Sequence, residues 1–288
     1  GRVLQWQAGG SYPEVAPENL LERLRFGDRP TFSQLSLALR RAARDPGVET
    51  LMLDLRGISV NWAQLEELVA AITTVREQGK QVWAYVESGG NADYALACAA
   101  DRIAMAPEGN LMVLGVASEL AFFAETLDTV GLEAEFLHVG KYKSAPEQLT
   151  RTGPTDANRE MTTALVEGRY ELLVDLIATG RDRPAETVRQ WIDTGLYDAP
   201  TARAAGLVDT LLTAEDLMAD LGPADDVARL ERYALAGGGG SGRRTAALIV
   251  AAGTIFPGPS RRDNLQGQIL GSDTVIEQLA DARQEAQA

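Results

Sequence analysis

Two lysines bracket a tyrosine in Val139-Gly140-Lys141-Tyr142-Lys143-Ser144-Ala145-Pro146-Glu147, just behind the apolar residues Phe136, Leu137 and Val139. A lysine at the mouth of a strand, backed by apolar neighbours, loses solvation. Its pKa then falls and its amine can serve as a general base. The plainer reading is two solvated surface lysines. His138 is the sole histidine, so a histidine metal cluster is not expected, and a serine triad would have to be built on that one residue. Cys98 is the sole cysteine. No intramolecular disulfide can form, and the redox compartment stays open. Its place in the run Tyr94–Ala100, among small apolar residues, reads as packing rather than as a nucleophile.

The elements that must position these groups are short apolar strands alternating with helices. Ser33–Arg44 has helical apolar spacing and is stopped by Pro46 and Gly47. Glu49–Leu55 reads as a strand, Trp62–Gln78 as a helix closed by Gly79, and Gln81–Val86 as the next strand. Ser88–Asn91 is expected as a loop and Asp93–Ala100 as a short helix. Arg102–Met105 is expected as a strand ended by Pro107. Helices follow over Asp156–Thr179, with Thr155 or Asp156 at the start and Glu160 placed for capping, and over Ala185–Thr194. Pro200–Leu212 reads as a helix, a turn at Gly206 and a short strand, and Ala214–Leu221 as the last helix of this section. Such alternation implies βαβ units and a mostly parallel sheet.

The chain has 288 residues, 45% of them hydrophobic and 24% charged, with a formal net charge of -14. That is a globular composition, and the acidic balance argues against a general nucleic-acid-binding face. No apolar run is long enough to span a membrane. The chain opens on Gly1-Arg2-Val3-Leu4-Gln5-Trp6, without a starting methionine, as if on the tail of a strand. The expectation is that an N-terminal signal or anchor has been removed.

Gly237-Gly238-Gly239-Gly240-Ser241-Gly242 reads as a linker, natural or engineered. Thr245–Ala252 beyond it is expected as a buried strand, with a helix from Ser272 onward. The pattern of Leu39–Asp45 returns at Leu279–Glu285, and Val3-Leu4 loosely matches Leu248-Ile249-Val250. The expected organisation is one repeat over 1–236 with a helical extension at about 156–221, a linker at 237–242, and the beginning of a second repeat at 243–288 that breaks off after its first helix.

With these residues in view, the sequence resembles the long, two-repeat form of the signal peptide peptidase A family, serine peptidases of family S49. The strongest likeness is Val139–Glu147, followed by the helix containing Arg159-Glu160-Met161. Asp101–Pro107 resembles the strand leading into the family's cleft, and Ala202–Asp209 its A-x-x-x-G-L-V-D turn. The resemblance implies an α/β fold of the ClpP/crotonase-like type, with repeated βαβ units and a mostly parallel sheet. It implies a Ser/Lys dyad in which the first repeat supplies the lysine and the second the serine. By the motif, Lys143 is the base, Lys141 a surface or substrate-side charge, and Gly140 and Ser144 supporting residues. It also implies no metal or other cofactor, signal peptides as substrates, and a homo-oligomer of tetramer type. The domain would lie outside the cytoplasmic membrane, held there by an anchor this chain does not show. No nucleic acid is implied as a partner.

The family's nucleophile is expected in a glycine-rich loop after a strand, whose amides would hold the substrate carbonyl. Ser59 in Leu55–Trp62 stands near the equivalent place but lacks paired glycines. Ser88 has Gly89 and Gly90 beside it but sits one strand later. Both are held as weak nucleophile candidates, and the chain alone is expected to be inactive. The alternative is a non-catalytic scaffold or truncated paralogue that binds peptides or assembles with an active protease. A crotonase acting on acyl-coenzyme A shares the fold class, but function must be argued from the site.

Overall fold

The computed structural model describes residues 2–16, 29–236, 247–263 and 267–285. Four long strands form the centre: β1 (Arg2–Gly10), β2 (Val48–Ile58), β3 (Gln81–Gly89) and β4 (Arg102–Met112). They pair in parallel in the order β4-β3-β2-β1, with Leu4 opposite Leu51, Leu51 opposite Val82, and Ala84 opposite Ile103. The helices that cross between them are α1 (Phe32–Ala42), α2 (Trp62–Glu77) and α3 (Asn91–Ala97).

The interior strand β2 is buried on both faces, which is why it reads as a nearly continuous apolar run. Leu51, Leu53 and Leu55 point into the main core with Leu4, Trp6, Val82, Val86, Ile103 and Met105. Met52 points the other way, into a smaller cluster with Val3, Tyr85, Ala104 and Leu217. Each fully buried leucine contributes roughly 1.5–3 kcal/mol through water exclusion.

Capping explains where the crossing helices begin. Thr31 accepts the N–H of Gln34, and the Gln34 side chain accepts the N–H of Thr31. Asn61 and Gln64 repeat that reciprocal pair at the start of α2. Leu35, Ala38, Leu39 and Ala42 then place the buried stripe of α1 on the sheet.

After β4 come α4 (Ala124–Thr129), α5 (Glu147–Thr150), α6 (Asp156–Arg181), α7 (Ala185–Thr194), β5 (Leu196–Asp198), α8 (Ala199–Ala204), β6 (Thr210–Leu211) and α9 (Ala214–Leu221). β5 pairs antiparallel and β6 parallel with β4. After α9 come a short 3-10 turn (Ala224–Asp226), then β7 (Val227–Arg229), which closes the far edge beside β1, and α10 (Leu230–Leu235). So α9 is not the last helix of the section. Residues 247–285 hold a separate three-stranded sheet, β8 (Thr254–Phe256), β9 (Arg261–Asp263) and β10 (Gly267–Gly271), followed by α11 (Ser272–Glu285). The proposed linker at 237–242 lies outside the described residues.

Several expectations need correction. β4 does not stop at Pro107. It continues to Met112 through a bulge, in which β3 advances from Val86 to Ser88 while β4 advances from Met105 to Asn110. The proline, which has no N–H to donate, sits within that irregularity. A side chain at Gly109 would overlap the Glu87 carbonyl, so the bulge requires glycine there. Ser88 and Gly89 belong to β3 rather than to a loop. Of the expected strand Thr245–Ala252, residues 247–252 are irregular, and the strand begins at Thr254.

Candidate active site at the carboxyl ends of the parallel strands

In a parallel α/β sheet, ligands bind beyond the carboxyl ends of the strands, where loops meet helix starts. Here those ends are rich in glycine: Gly9 and Gly10 close β1, Gly57 lies near the end of β2, and Gly89 and Gly90 form the turn from β3 into α3. Ser59 follows β2 directly, is exposed, and donates its backbone N–H to the Gly10 carbonyl at 2.8 Å. Ser88 is exposed at the end of the neighbouring strand. The fold thus brings both candidate serines to the same end of the sheet, on adjacent strands.

The sequence reading missed Asp93. This residue lies in the first turn of α3 and is only 4% exposed. Its Oδ1 accepts the backbone N–H groups of Gly57 and Ile58, each at 3.0 Å, and its Oδ2 accepts that of Gly90 at 3.1 Å. One carboxylate therefore clasps the ends of β2 and β3. An acidic residue three positions after a glycine that opens a helix is a sequence signal for the local bond to Gly90. Nothing local signals the reach to Gly57 and Ile58. Asn91 ties the same helix start to the next loop, donating to the Gly115 carbonyl at 2.6 Å and accepting from Leu114 N–H at 2.9 Å.

The lysine motif lies on the long excursion between β4 and α6. The strand expected before it is absent. Residues 133–139 have no regular structure, and Leu137 is 99% and Val139 91% exposed. The apolar backing expected for a strand-mouth lysine is therefore not formed by the described residues, and Lys143 is exposed. Its ammonium has no hydrogen-bond or ion-pair partner among them. His138 is exposed in the same stretch. Gly140 takes the positive-φ conformation that glycine favours, with φ of 109°, and its carbonyl accepts the Lys143 N–H at 3.3 Å.

The neighbours of Lys143 are anchored. Lys141 pairs with Glu160 at 3.2 Å, and the Tyr142 hydroxyl donates to the same carboxylate. Glu160 thus holds the motif rather than capping α6. Its hydrogen bonds to the Tyr142 hydroxyl and to the Glu160 carboxylate hold the Lys141 ammonium above the usual lysine range. Ser144 is buried, 8% exposed. Glu147 accepts from the Thr155 backbone N–H and hydroxyl and from the Asn158 side chain, fixing the start of α6. No hydrogen bond joins Lys143 to Ser59 or Ser88 among the described residues.

The far end of α6 is locked to the sheet. Arg181 bonds Asp209 at 2.8 Å and 3.1 Å, and Asp209 accepts the Ile103 N–H at 2.7 Å. Tyr94 donates to the Leu207 carbonyl at 2.9 Å. Cys98 is fully buried beneath this junction, and burial pushes its thiol up to about 12, so it is inert packing. Among the described residues no group of three or more His, Cys, Asp and Glu side chains could hold a metal ion.

Residues 74–227 match Peptidase family S49. This chain belongs to peptidase family S49. The matched span of the S49 chain runs from the last turn of α2 to the first residue of β7 and includes Ser88, Asp93 and the whole lysine motif. The α/β architecture with a mostly parallel sheet, expected from the resemblance, is the one observed.

Among curated proteins, the chain is similar to the chloroplastic serine protease SPPA of Arabidopsis thaliana, at 28% identity over 64% of this chain and 27% of that protein. It is also similar to Protease 4 of Haemophilus influenzae, at 27% identity over 93% of this chain and 46% of that protein. Protease 4 of Salmonella typhi is 26% identical over 85% of this chain and 42% of that protein. The S49 chain thus spans less than half the length of each of these relatives. Among solved structures, it is similar to a membrane-bound stomatin-specific protease, at 13% identity and a TM-score of 0.42, covering 76% of this chain and 83% of that one.

Proposed function

We propose that this S49 chain is the base-bearing part of a serine endopeptidase of the signal peptide peptidase A type. Its substrates would be cleaved signal peptides at the membrane. The observation that carries the reading is the family match over 74–227, with Lys143 exposed inside it and its ammonium without a partner among the described residues. A base whose serine lies elsewhere must be reachable from outside its own sheet, and Lys143 is. When the serine-bearing part covers this loop, Leu137 and Val139 supply the apolar surroundings that free an amine of its proton.

In the proposed reaction the serine Oγ–H gives its proton to Lys143 Nζ as Oγ attacks the peptide carbonyl. The tetrahedral adduct then collapses to an acyl-enzyme, and the Lys143 ammonium protonates the departing amine. Lys143 next takes a proton from the deacylating water and returns it to the serine. Lys141 stays charged under Glu160 and faces the substrate side. No metal or other cofactor takes part. Assembly would be a homo-tetramer outside the cytoplasmic membrane. Attachment to the membrane would be through an anchor. Among the described residues no helix is long and apolar enough to cross a membrane.

A second reading, a non-catalytic scaffold that assembles with an active protease, is favoured by one observation: among the described residues neither Ser59 nor Ser88 has a side-chain hydrogen bond to a base. The deciding assay uses the intact polypeptide as the cell makes it and an apolar fluorogenic peptide ester. Lys143→Ala should lower kcat by about 10²- to 10⁴-fold, with Lys141→Ala close to wild type. Equal rates for wild type and Lys143→Ala would remove Lys143 as the base. Absence of hydrolysis in the wild type would favour the scaffold.

A further inference from the structure

The backbone groups that a bound peptide would use at the carboxyl ends of β1, β2 and β3 are already in use. Peptide-binding sheets recognise a substrate by main-chain hydrogen bonds, and acyl-transfer sites stabilise a carbonyl oxygen with converging N–H donors. At the ends of β2 and β3 the converging donors are the N–H groups of Gly57, Ile58 and Gly90, and all three point at the Asp93 carboxylate. At the end of β1 the acceptors are the carbonyls of Gly9 and Ser11, and both accept from Arg29, at 2.7 Å and 3.3 Å. The Ser59 N–H is likewise taken by Gly10. A buried carboxylate with three N–H donors is a well-satisfied anion, and displacing it with a neutral carbonyl would strand a charge.

We propose that Asp93 is a built-in occupant of the amide cluster at the ends of β2 and β3. It closes this end of the sheet to a substrate carbonyl and leaves Ser59 and Ser88 without the donors a nucleophilic serine needs. The inference rests on the peptidase reading and deepens it, since it says where in the S49 chain the acyl chemistry does not occur. Asp93 is a positioning residue. It holds the two strand ends in a closed arrangement, so the serine partner of Lys143 must come from outside this sheet end.

Amide hydrogen exchange, followed by NMR on the full chain, tests the occupancy. In Asp93→Ala the Gly57, Ile58 and Gly90 amides should exchange roughly ten- to a hundredfold faster, the loss expected for hydrogen bonds to a charged acceptor. The Leu53 amide in the same strand should be unchanged. A merely structural role for Asp93 would instead speed all of β2 together. If the alanine variant does not fold, Asp93→Asn decides. Its oxygen still accepts from Gly57 and Ile58, but its NH₂ faces the Gly90 N–H, so Gly90 alone should accelerate. Unchanged exchange at all three amides in a folded variant overturns the proposal.

Closure is read separately, by treating the wild-type chain with a fluorophosphonate and mapping adducts by mass spectrometry. A clean Ser59 and Ser88 agree with closure, and an adduct on either overturns it. Failure of the peptidase reading would appear elsewhere, as indifference of hydrolysis to Lys143→Ala, and would leave the exchange result standing.

Discussion

Arg181 and Asp209 meet at 2.8 Å at the point where the long helix α6 ends against the sheet, and the Asp209 carboxylate also accepts the Ile103 N–H that opens β4. Arg181 is 12% exposed there, so removing its partner leaves a largely buried guanidinium without its anion. This pair secures the helix whose other end anchors the lysine motif.

The acid behaviour of that pair has a definite sign. Burial pushes the Asp209 carboxyl up, but hydrogen bonds from Arg181 and Ile103, with the charges of Arg181 and Arg102, outweigh it and hold the group below the ordinary aspartate range. A group whose folded pKa is lowered contributes stability above its unfolded value, near 4, and loses it as pH falls through the folded value. Asp209→Asn should therefore be about 1–2 kcal/mol less stable than wild type at pH 7 in urea unfolding. That gap should narrow below about pH 4. A gap of constant size down to low pH would show that the carboxylate charge is not the source.

Gly180 and Gly168 lie on the same helix and should respond in opposite directions. A methyl group at Gly180 would overlap the Cys98 backbone, because α6 passes directly over the end of α3. Gly168 is exposed and has open space around its Cα. Gly180→Ala should cost about 1–3 kcal/mol through overpacking. Gly168→Ala should add up to about 1 kcal/mol through helix propensity and reduced chain entropy. Denaturation midpoints of the two variants against wild type give the comparison, and a destabilised Gly168→Ala would mean that face of α6 is covered.

Cys98 offers a test of how tightly that crossing is closed. With its thiol raised to about 12 and its side chain buried, it should not react with a thiol reagent at pH 8 in the native protein. In denaturant it should react fully. Rapid native labelling would mean that α6 lifts from α3 without global unfolding.

Much of the central sheet could be read from the sequence because local and global signals agree there. The apolar run of β2, the Pro46-Gly47 stop after α1, and the glycine stop at Gly79 each report structure within a few residues. The excursion that carries Lys143 could not be read in this way. Phe136, Leu137 and Val139 have the composition of a strand, but no neighbour pairs with them, and pairing is not a local property. Pro107 misled in the opposite sense, because a proline ends a strand only where the ladder is regular and β4 is bulged there. Lys143 itself stood out by motif. Asp93 did not, since its two most distant bonds reach across thirty-six and thirty-five positions to Gly57 and Ile58.

The edges of the main sheet have a consequence of their own. One side ends in β5 and β6, strands of three and two residues, and the other in β7, a strand of three. A long, flat outer strand is a template on which another polypeptide can add, and from which fibrils grow. Caps this short offer few free amides in line, and the bulge around Pro107 bends β4 just inside one of them. At Val3–Gln5 of β1, and at Ala104, Met105 and Asn110–Met112 of β4, the long outer strands are thus already paired, which leaves an incoming strand no free ladder at those positions.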